Sequence, residues 1–216
     1  MIFFRVIRMF FWAMMTRSGR FRMLWTIFRF CPGDYGMLIR ARLLGPQLKS
    51  VGTDLTVREG VFIRNPQMIS VGSHLGIGDN VFLQAGGGLE IGDHVILGPS
   101  VKIWTQNHQY ADPETPIRLQ GTDYGPVRID DDVWIGTDTF IMPGTHLQRG
   151  CIVAANSVVS GRVYKEFSIL AGNPARVIGF RNVARPNAGE SKNGQNCQNG
   201  QNDLNGQNCQ NEQNGD

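Results

Sequence analysis

An aliphatic residue recurs at every sixth position over two long stretches, 51–103 and 129–159, of this 216-residue chain. Valine, isoleucine or leucine occupies all of Val51, Val57, Ile63, Ile69, Val71, Ile77, Leu83, Leu89, Ile91, Leu97, Ile103, Ile129, Ile135, Ile141, Leu147, Val153 and Val159. A period of six fits neither the 3.6-residue helix nor the two-residue strand. It is typical of a parallel β-helix, in which each six-residue unit forms one short strand and a corner, and three units close one coil.

A second inward position, four places after nine of these aliphatic residues, holds small or branched side chains. These are Val61, Val81, Val95, Val101, Val133, Thr139, Thr145, Cys151 and Ser157. The pattern predicts that Cys151 packs inside the prism and is not a nucleophile. Two-residue slips at 69–71 and 89–91 are interpreted as small corner bulges.

The charge of the chain is polarised along its length. The formal net charge is +3, too small to indicate a nucleic-acid partner. Residues 1–50, however, carry nine basic side chains against the single acid Asp34. Aromatic residues alternate with arginines here, as in helices that lie at a bilayer surface, and no uncharged run is long enough for a membrane span. Two interpretations stay open: residues 1–30 associate peripherally with the inner face of the cell membrane, or residues 1–48 form a helical cap on the main domain.

Residues 187–216 are low in complexity, with asparagine at every third position from Asn193 to Asn214. Such a segment has almost no apolar surface to bury, so we expect a disordered tail. The four cysteines, at positions 31, 151, 197 and 209, have neither a CxxC pair nor zinc spacing. This favours a reduced, cytoplasmic setting.

The hexapeptide series is interrupted between Trp104 and Arg128, and the excursion 104–128 contains His108. Long loops in compact domains are usually functional. We therefore expect the chemistry of the protein in this loop.

The segments TQNHQYADPETPIRLQG, PVRIDDDVWIGTDTFIMPGTHLQRGCIVAANSVVSG and AGNPARVIG together resemble the hexapeptide-repeat acetyltransferases. Within that family they are similar to galactoside and maltose O-acetyltransferases and to O-acetyltransferases of exopolysaccharide and lipopolysaccharide synthesis. The resemblance covers residues 45–180. It implies a left-handed parallel β-helix over 49–180 and a homotrimer whose active sites are each built from two subunits.

By this resemblance the chain transfers acetyl from acetyl-CoA directly to a sugar hydroxyl, without a metal. His108 matches the family's general base. Histidine ionises near neutral pH and can take the proton that the hydroxyl loses as it attacks the thioester. No GxSxG motif indicates an acyl-enzyme.

The resemblance also implies residues for the other ligands. Those that match positions around CoA are Trp134, Thr137, Ala155, Ser160, Arg162 and Arg176. SGRVYKE at 160–166 departs from the family's threonine-lysine-aspartate run. The assignments of Ser160 and Arg162 are therefore made to within one position. Asn80 and Gln84 are placed to contact a sugar acceptor, although an asparagine in GDN is also ordinary turn chemistry.

The other histidines are interpreted as coil-surface residues. His74 and His94 lie one coil apart, which predicts that they stack at a corner, and His146 ends a hexapeptide.

Three function classes compete, and the first is a sugar O-acetyltransferase. Within this class, the basic N-terminus favours a polysaccharide or lipopolysaccharide acceptor over a small galactoside or maltoside. A zinc hydratase of the γ-carbonic anhydrase kind needs three histidine ligands, and the chain lacks the usual HxxxxH pair. A non-catalytic scaffold is the third class.

Overall fold

The computed structural model describes Phe4, Arg8 and residues 14–181. The predicted tail, 187–216, and most of residues 1–13 lie outside the described residues. Two helices precede the β-structure: α1 spans Arg17–Phe28 and α2 spans Gly33–Leu44. Thr16 caps α1 by accepting a hydrogen bond from the Gly19 amide at 3.1 Å. Short 3-10 turns follow at Gly45–Gln47 and Pro66–Met68.

Short parallel strands stack into three sheets that form the three sides of a prism. The first sheet contains β1 (Ser50–Val51), β4 (Ile69–Val71), β7 (Leu89–Ile91), β12 (Val127–Ile129), β15 (His146–Leu147) and β18 (Val163–Tyr164). The second contains β2 (Thr56–Val57), β5 (Gly76–Ile77), β8 (Ile96–Leu97), β13 (Trp134–Ile135), β16 (Ile152–Val153) and β19 (Ser168–Gly172), with β20 (Ala175–Phe180) added antiparallel. The third contains β3 (Phe62–Arg64), β6 (Phe82–Gln84), β9 (Lys102–Trp104), β14 (Phe140–Ile141) and β17 (Val158–Val159).

The predicted periodicity describes the interior of this prism. All of the seventeen aliphatic positions are buried except Val51 and Ile63, which belong to the first coil. Every one of the nine small or branched positions is also buried. The parallel β-helix is therefore confirmed, with an interior of aliphatic side chains stacked from coil to coil.

The corners of the coils use the left-handed backbone region. Between the first and second sheets, Asp54, His74, His94 and Asp132 have φ between 57° and 60°. The rings of His74 and His94 stack there with centroids 4.6 Å apart, which confirms the predicted corner stack. His74 also contacts the Asp54 carboxylate through Nδ1 at 2.9 Å.

The helices are attached to the first coils by a buried arginine and by two aromatic side chains. Arg40 of α2 is fully buried. Its Nη1 donates to the carbonyls of Cys31 at 2.6 Å and Phe28 at 3.2 Å, and its Nε donates to the carbonyl of Val57 at 3.0 Å. One guanidinium group therefore joins the end of α1 to strand β2. Phe21 and Trp25 of α1 are buried, and Trp25 Nε1 donates to the Val61 carbonyl at 3.1 Å.

The excursion in the repeat is folded rather than irregular. Strands β10 (Gln106–His108) and β11 (Thr122–Tyr124) pair antiparallel, and helix α3 (Ile117–Gln120) lies between them. The hairpin leaves the prism between the third and first sheets, because it joins β9 to β12. Trp104 and Arg128, which the sequence places in the loop, belong to the flanking strands β9 and β12.

Among the described residues no helix is long and apolar enough to cross a membrane.

Candidate functional site

A shallow cleft of about 450 Å³ runs along the outer side of the second sheet and contains two of the predicted CoA residues, Trp134 and Thr137. Trp134 lies between Ile96 and Ile152 of the neighbouring strands. The side chains of Trp134 and Ile96 are 52% and 56% exposed. Side by side on an outer surface, they form an apolar strip suited to an uncharged, extended ligand arm.

Glycines at the corner beside this strip allow successive coils to stack closely. A Cβ atom on Gly136 would lie 2.6 Å from the amide nitrogen of Ala155, and one on Gly98 would lie 2.9 Å from that of Thr137. Successive coils approach too closely here for a side chain. Ala155 is exposed one coil beyond Gly136, so the structure brings Trp134, Thr137 and Ala155 together.

His108 lies on the hairpin, at the end of β10, and is exposed. Its backbone pairs with Thr122, and the neighbouring side chain of Gln109 donates to the Asp123 carboxylate at 2.6 Å. Within the described part of the chain no side-chain hydrogen bond of His108 is seen. The imidazole is therefore exposed to solvent on the hairpin.

A buried threonine anchors the base of this hairpin. Thr105 Oγ1 donates to the Gln84 carbonyl and accepts from the Gly87 amide, both at 2.8 Å. The Gln84 side chain is 4% exposed, and its Oε1 has no hydrogen-bond partner among the described residues. Gln84 therefore lies at the base of the hairpin that carries His108, and its Oε1 accepts no hydrogen bond from the described residues.

The sequence analysis does not predict that Thr105 and the glycines beneath the hairpin support it. A Cβ atom on Gly86 would lie 2.4 Å from Gln106 Oε1, and one on Gly87 would lie 2.3 Å from the Thr105 carbonyl oxygen. Three consecutive glycines at 86–88, placed immediately after a strand, were the available signal.

Asn80 is at a different corner from Gln84. It has φ 57° in the turn between the second and third sheets. Its Oδ1 lies against the glycine one coil below, 2.1 Å from where a Cβ of Gly60 would be. The structure shows turn chemistry at Asn80 and does not bring it together with the hairpin.

Ser160, Arg162 and Arg176 form a third group toward the C-terminal end of the prism. The Ser160 hydroxyl is 3.0 Å from the hydroxyl of the buried Tyr164, and the Arg162 guanidinium lies over the Tyr164 ring at 4.9 Å. Arg162 and Arg176 both donate to the Ala175 carbonyl, at 3.5 Å and 3.1 Å. Both arginines are exposed, and two guanidinium groups sharing one carbonyl can also bind a phosphate.

His108 and the cleft lie on different sides of one subunit. The hairpin emerges at the corner between the third and first sheets, and in a three-sided prism this corner faces away from the second sheet. His108 is not among the residues that line the cleft. One subunit alone therefore does not unite the candidate base with the Trp134 strip.

His146, interpreted above as a coil-surface residue, lies half-buried on strand β15 of the first sheet. Its Nε2 is 2.9 Å from Asp130 Oδ2, and Arg128 Nε donates to Asp130 Oδ1 at 2.7 Å. Burial alone would raise the pKa of Asp130. The hydrogen bonds from His146 and Arg128 outweigh burial, so this pKa lies below its ordinary value.

Cys151 is fully buried, as predicted, and burial raises the pKa of its thiol to about 11. The thiolate is the nucleophilic form, so this residue is inert at neutral pH. Over the described residues there is no group of three His, Cys, Asp or Glu side chains that could hold a metal ion.

Residues 126–161 match the family described as Bacterial transferase hexapeptide (six repeats). A putative lipopolysaccharide biosynthesis O-acetyl transferase of Escherichia coli strain K12, WbbJ, is 35% identical over 68 residues, which make up 32% of this chain and 34% of the relative. The matched segment spans about a quarter to two fifths of the length of the curated relatives.

Two solved structures share the fold over most of their length. A hexapeptide-repeat acetyltransferase from Vibrio cholerae O1 biovar eltor, complexed with acetyl coenzyme A, is 28% identical with a TM-score of 0.65, over 76% of this chain and 85% of that one. A maltose O-acetyltransferase from Clostridium difficile 630 is 26% identical with a TM-score of 0.61, over 74% of this chain and 84% of that one. These similarities confirm the resemblance to hexapeptide-repeat acetyltransferases.

Proposed function

We propose that this protein transfers the acetyl group of acetyl-CoA to a sugar hydroxyl. The observation that carries this proposal is the exposed Trp134 strip in its cleft on the second sheet, in a fold whose Vibrio relative was solved with acetyl-CoA. A pantetheine arm is long, narrow and uncharged, and it fits such a strip. Arg162 and Arg176 supply cations for the CoA phosphates.

In the proposed mechanism His108 takes the proton from the acceptor hydroxyl as the hydroxyl oxygen attacks the thioester carbon. The C–S bond then breaks, protonated His108 gives its proton to the departing sulfur, CoA leaves as the thiol, and the acetyl ester remains on the sugar. General-base catalysis is worth about 10²–10⁴ in rate.

The complete site contains two subunits of a homotrimer. Within one subunit the hairpin and the cleft lie on different sides of the prism, so a neighbouring copy must bring its hairpin to the cleft. Closed cyclic symmetry then gives every cleft one hairpin.

Mixed trimers test both the shared site and the role of His108. His108→Ala removes the base, and Thr137→Trp fills the cleft. We expect each variant alone to be inactive in acetyl transfer from acetyl-CoA. Trimers that contain both, isolated with two different affinity tags, should regain activity in about one site of three. A stable monomer in sedimentation, or mixed trimers as inactive as the parents, would reject the two-subunit site.

The acceptor we propose is a polysaccharide or lipopolysaccharide sugar at the inner membrane face. The name of the WbbJ relative and the basic helices support this choice. Leu24, Ile27 and Phe30 are 39%, 67% and 58% exposed, which supports peripheral attachment through the helical segment. A panel of acceptors, containing galactosides, maltosides and lipid-linked glycans, distinguishes this choice from a small-sugar enzyme.

A further inference from the structure

We propose that a cleft between helix α1 and the first coils binds the phosphate head of an anionic membrane lipid. This cleft, called the basal cleft below, has a volume of about 1090 Å³, compared with about 450 Å³ for the cleft beside Trp134. Its lining includes four arginines, Arg17, Arg22, Arg29 and Arg64, and no carboxylate. The inference rests on the proposed membrane attachment and is independent of acetyl transfer.

Two of these arginines converge on one aromatic ring. The guanidinium groups of Arg29 and Arg64 each lie 5.6 Å from the centroid of the Phe62 ring. Arg29 also lies 4.7 Å over the ring of Phe30, and its Nε is enclosed without a hydrogen-bond partner among the described residues. None of the four arginines forms an ion pair within the part of the chain that the structure describes.

Like charges brought to one ring without a counter-charge repel each other, and an anion between them removes that cost. Guanidinium groups bind phosphate with paired hydrogen bonds. The charge and hydrogen-bonding capacity of the basal cleft therefore match a phosphate group.

Beside its arginines the basal cleft is lined by a mixture of polar and apolar side chains, and the apolar ones distinguish a lipid from free phosphate. Leu48, Phe62 and Ile63 are half-buried lining residues, and a hydrocarbon chain can contact their exposed parts. On the other side of the same helix, Leu24 and Ile27 are exposed and do not line the cleft. A helix with apolar side chains outside and a cationic cleft inside suits the boundary between lipid tails and headgroups.

The test uses the full chain and dihexanoyl phosphatidic acid below its micelle concentration, with binding measured by titration calorimetry. We expect binding to this lipid and much weaker binding to inorganic phosphate or to dihexanoyl phosphatidylcholine. Arg29→Gln/Arg64→Gln should weaken lipid binding by about tenfold or more. The matched control Arg20→Gln/Arg42→Gln loses the same charge outside the cleft and should stay within about twofold of wild type.

Three results would overturn the proposal: equal affinity for inorganic phosphate, equal affinity for phosphatidylcholine, or equal weakening by the control pair. Arg22→Gln, on the exposed rim, serves if the double variant unfolds, and it should also weaken binding. Co-sedimentation with anionic liposomes distinguishes failure of the basal cleft site from failure of the proposed membrane attachment. If liposomes bind wild type and Arg29→Gln/Arg64→Gln equally, membrane attachment stands and the basal cleft site is wrong.

Discussion

The prism and its two appendages are held in different ways. Inside the prism, each aliphatic side chain is stacked on an equivalent one in the next coil, so no single contact attaches a coil. The helices and the hairpin are joined to the prism in part through individual polar side chains, Arg40 and Thr105, and the helices also bury Phe21 and Trp25 against it. The comparison shows that the regular part repeats one packing contact, while the parts that carry His108 and the basal cleft depend on a few contacts that each occur once.

The largest expected effect is on catalysis alone. His108→Ala should lower kcat by about 10²–10⁴ because the proton moves only in the transition state. The coils should be unaffected, since His108 is exposed on the hairpin. Steady-state kinetics and the melting temperature check both halves of this expectation. His74→Ala and His94→Ala, at a coil corner, should change kcat less than a few-fold, as surface substitutions do. Loss of activity in either of them with full activity in His108→Ala would misplace the site.

The next effect is on the attachment of the helices. Arg40→Met keeps most of the side-chain volume but leaves the carbonyls of Phe28, Cys31 and Val57 without their donor. At about 1 kcal/mol for each lost hydrogen bond, we expect a loss of about 3 kcal/mol in the free energy of unfolding. Urea denaturation measures it.

Two other substitutions show whether geometry or charge is responsible. Arg40→Lys keeps a charge but cannot reach both helix and strand, so we expect an intermediate loss. The exposed Arg42→Met should be nearly neutral. If Arg42→Met costs as much as Arg40→Met, the anchor is not Arg40.

The regular part of the molecule was predictable, and its anchors were not. A period of six identifies the interior from Val57 to Val159 because every coil repeats the same packing requirement. The fold and the buried Cys151 follow from this repetition. Thr105, Arg40 and the Asp130 cluster (Arg128, Asp130 and His146) each occur once, so no periodic pattern in the sequence indicates them. The composition of residues 1–50 does not distinguish Arg40, which is fully buried, from the other basic side chains of this segment. The left-handed sense of the β-helix came only from the resemblance.

Loss of the Thr105 hydrogen bonds should both loosen the hairpin and lower activity. Thr105→Val removes a hydroxyl that both donates to Gln84 and accepts from Gly87, which we expect to cost about 2 kcal/mol. The loss should appear as faster hydrogen exchange in residues 106–124 and as a lower kcat/KM. Thr105→Ser keeps the hydroxyl and should behave almost as wild type. Faster exchange spread evenly over all coils would show that Thr105 supports the prism and not the hairpin.

The smallest expected effect is a change in acid stability from the Asp130 cluster. The folded-state pKa of Asp130 is lowered by hydrogen bonds from His146 and Arg128, which outweigh burial. A lowered carboxyl pKa stabilises the fold above the ordinary value near 3.9, and this contribution is lost as the pH falls through the lowered pKa. Asp130→Asn should therefore cost about 1 kcal/mol at pH 7 and progressively less below pH 4. Urea denaturation at several pH values measures this convergence. Glu166→Gln, at an exposed position, supplies the control and should leave the curve unchanged. Parallel curves for wild type and Asp130→Asn at all pH values would mean that the cluster stabilises the first sheet by packing rather than by charge.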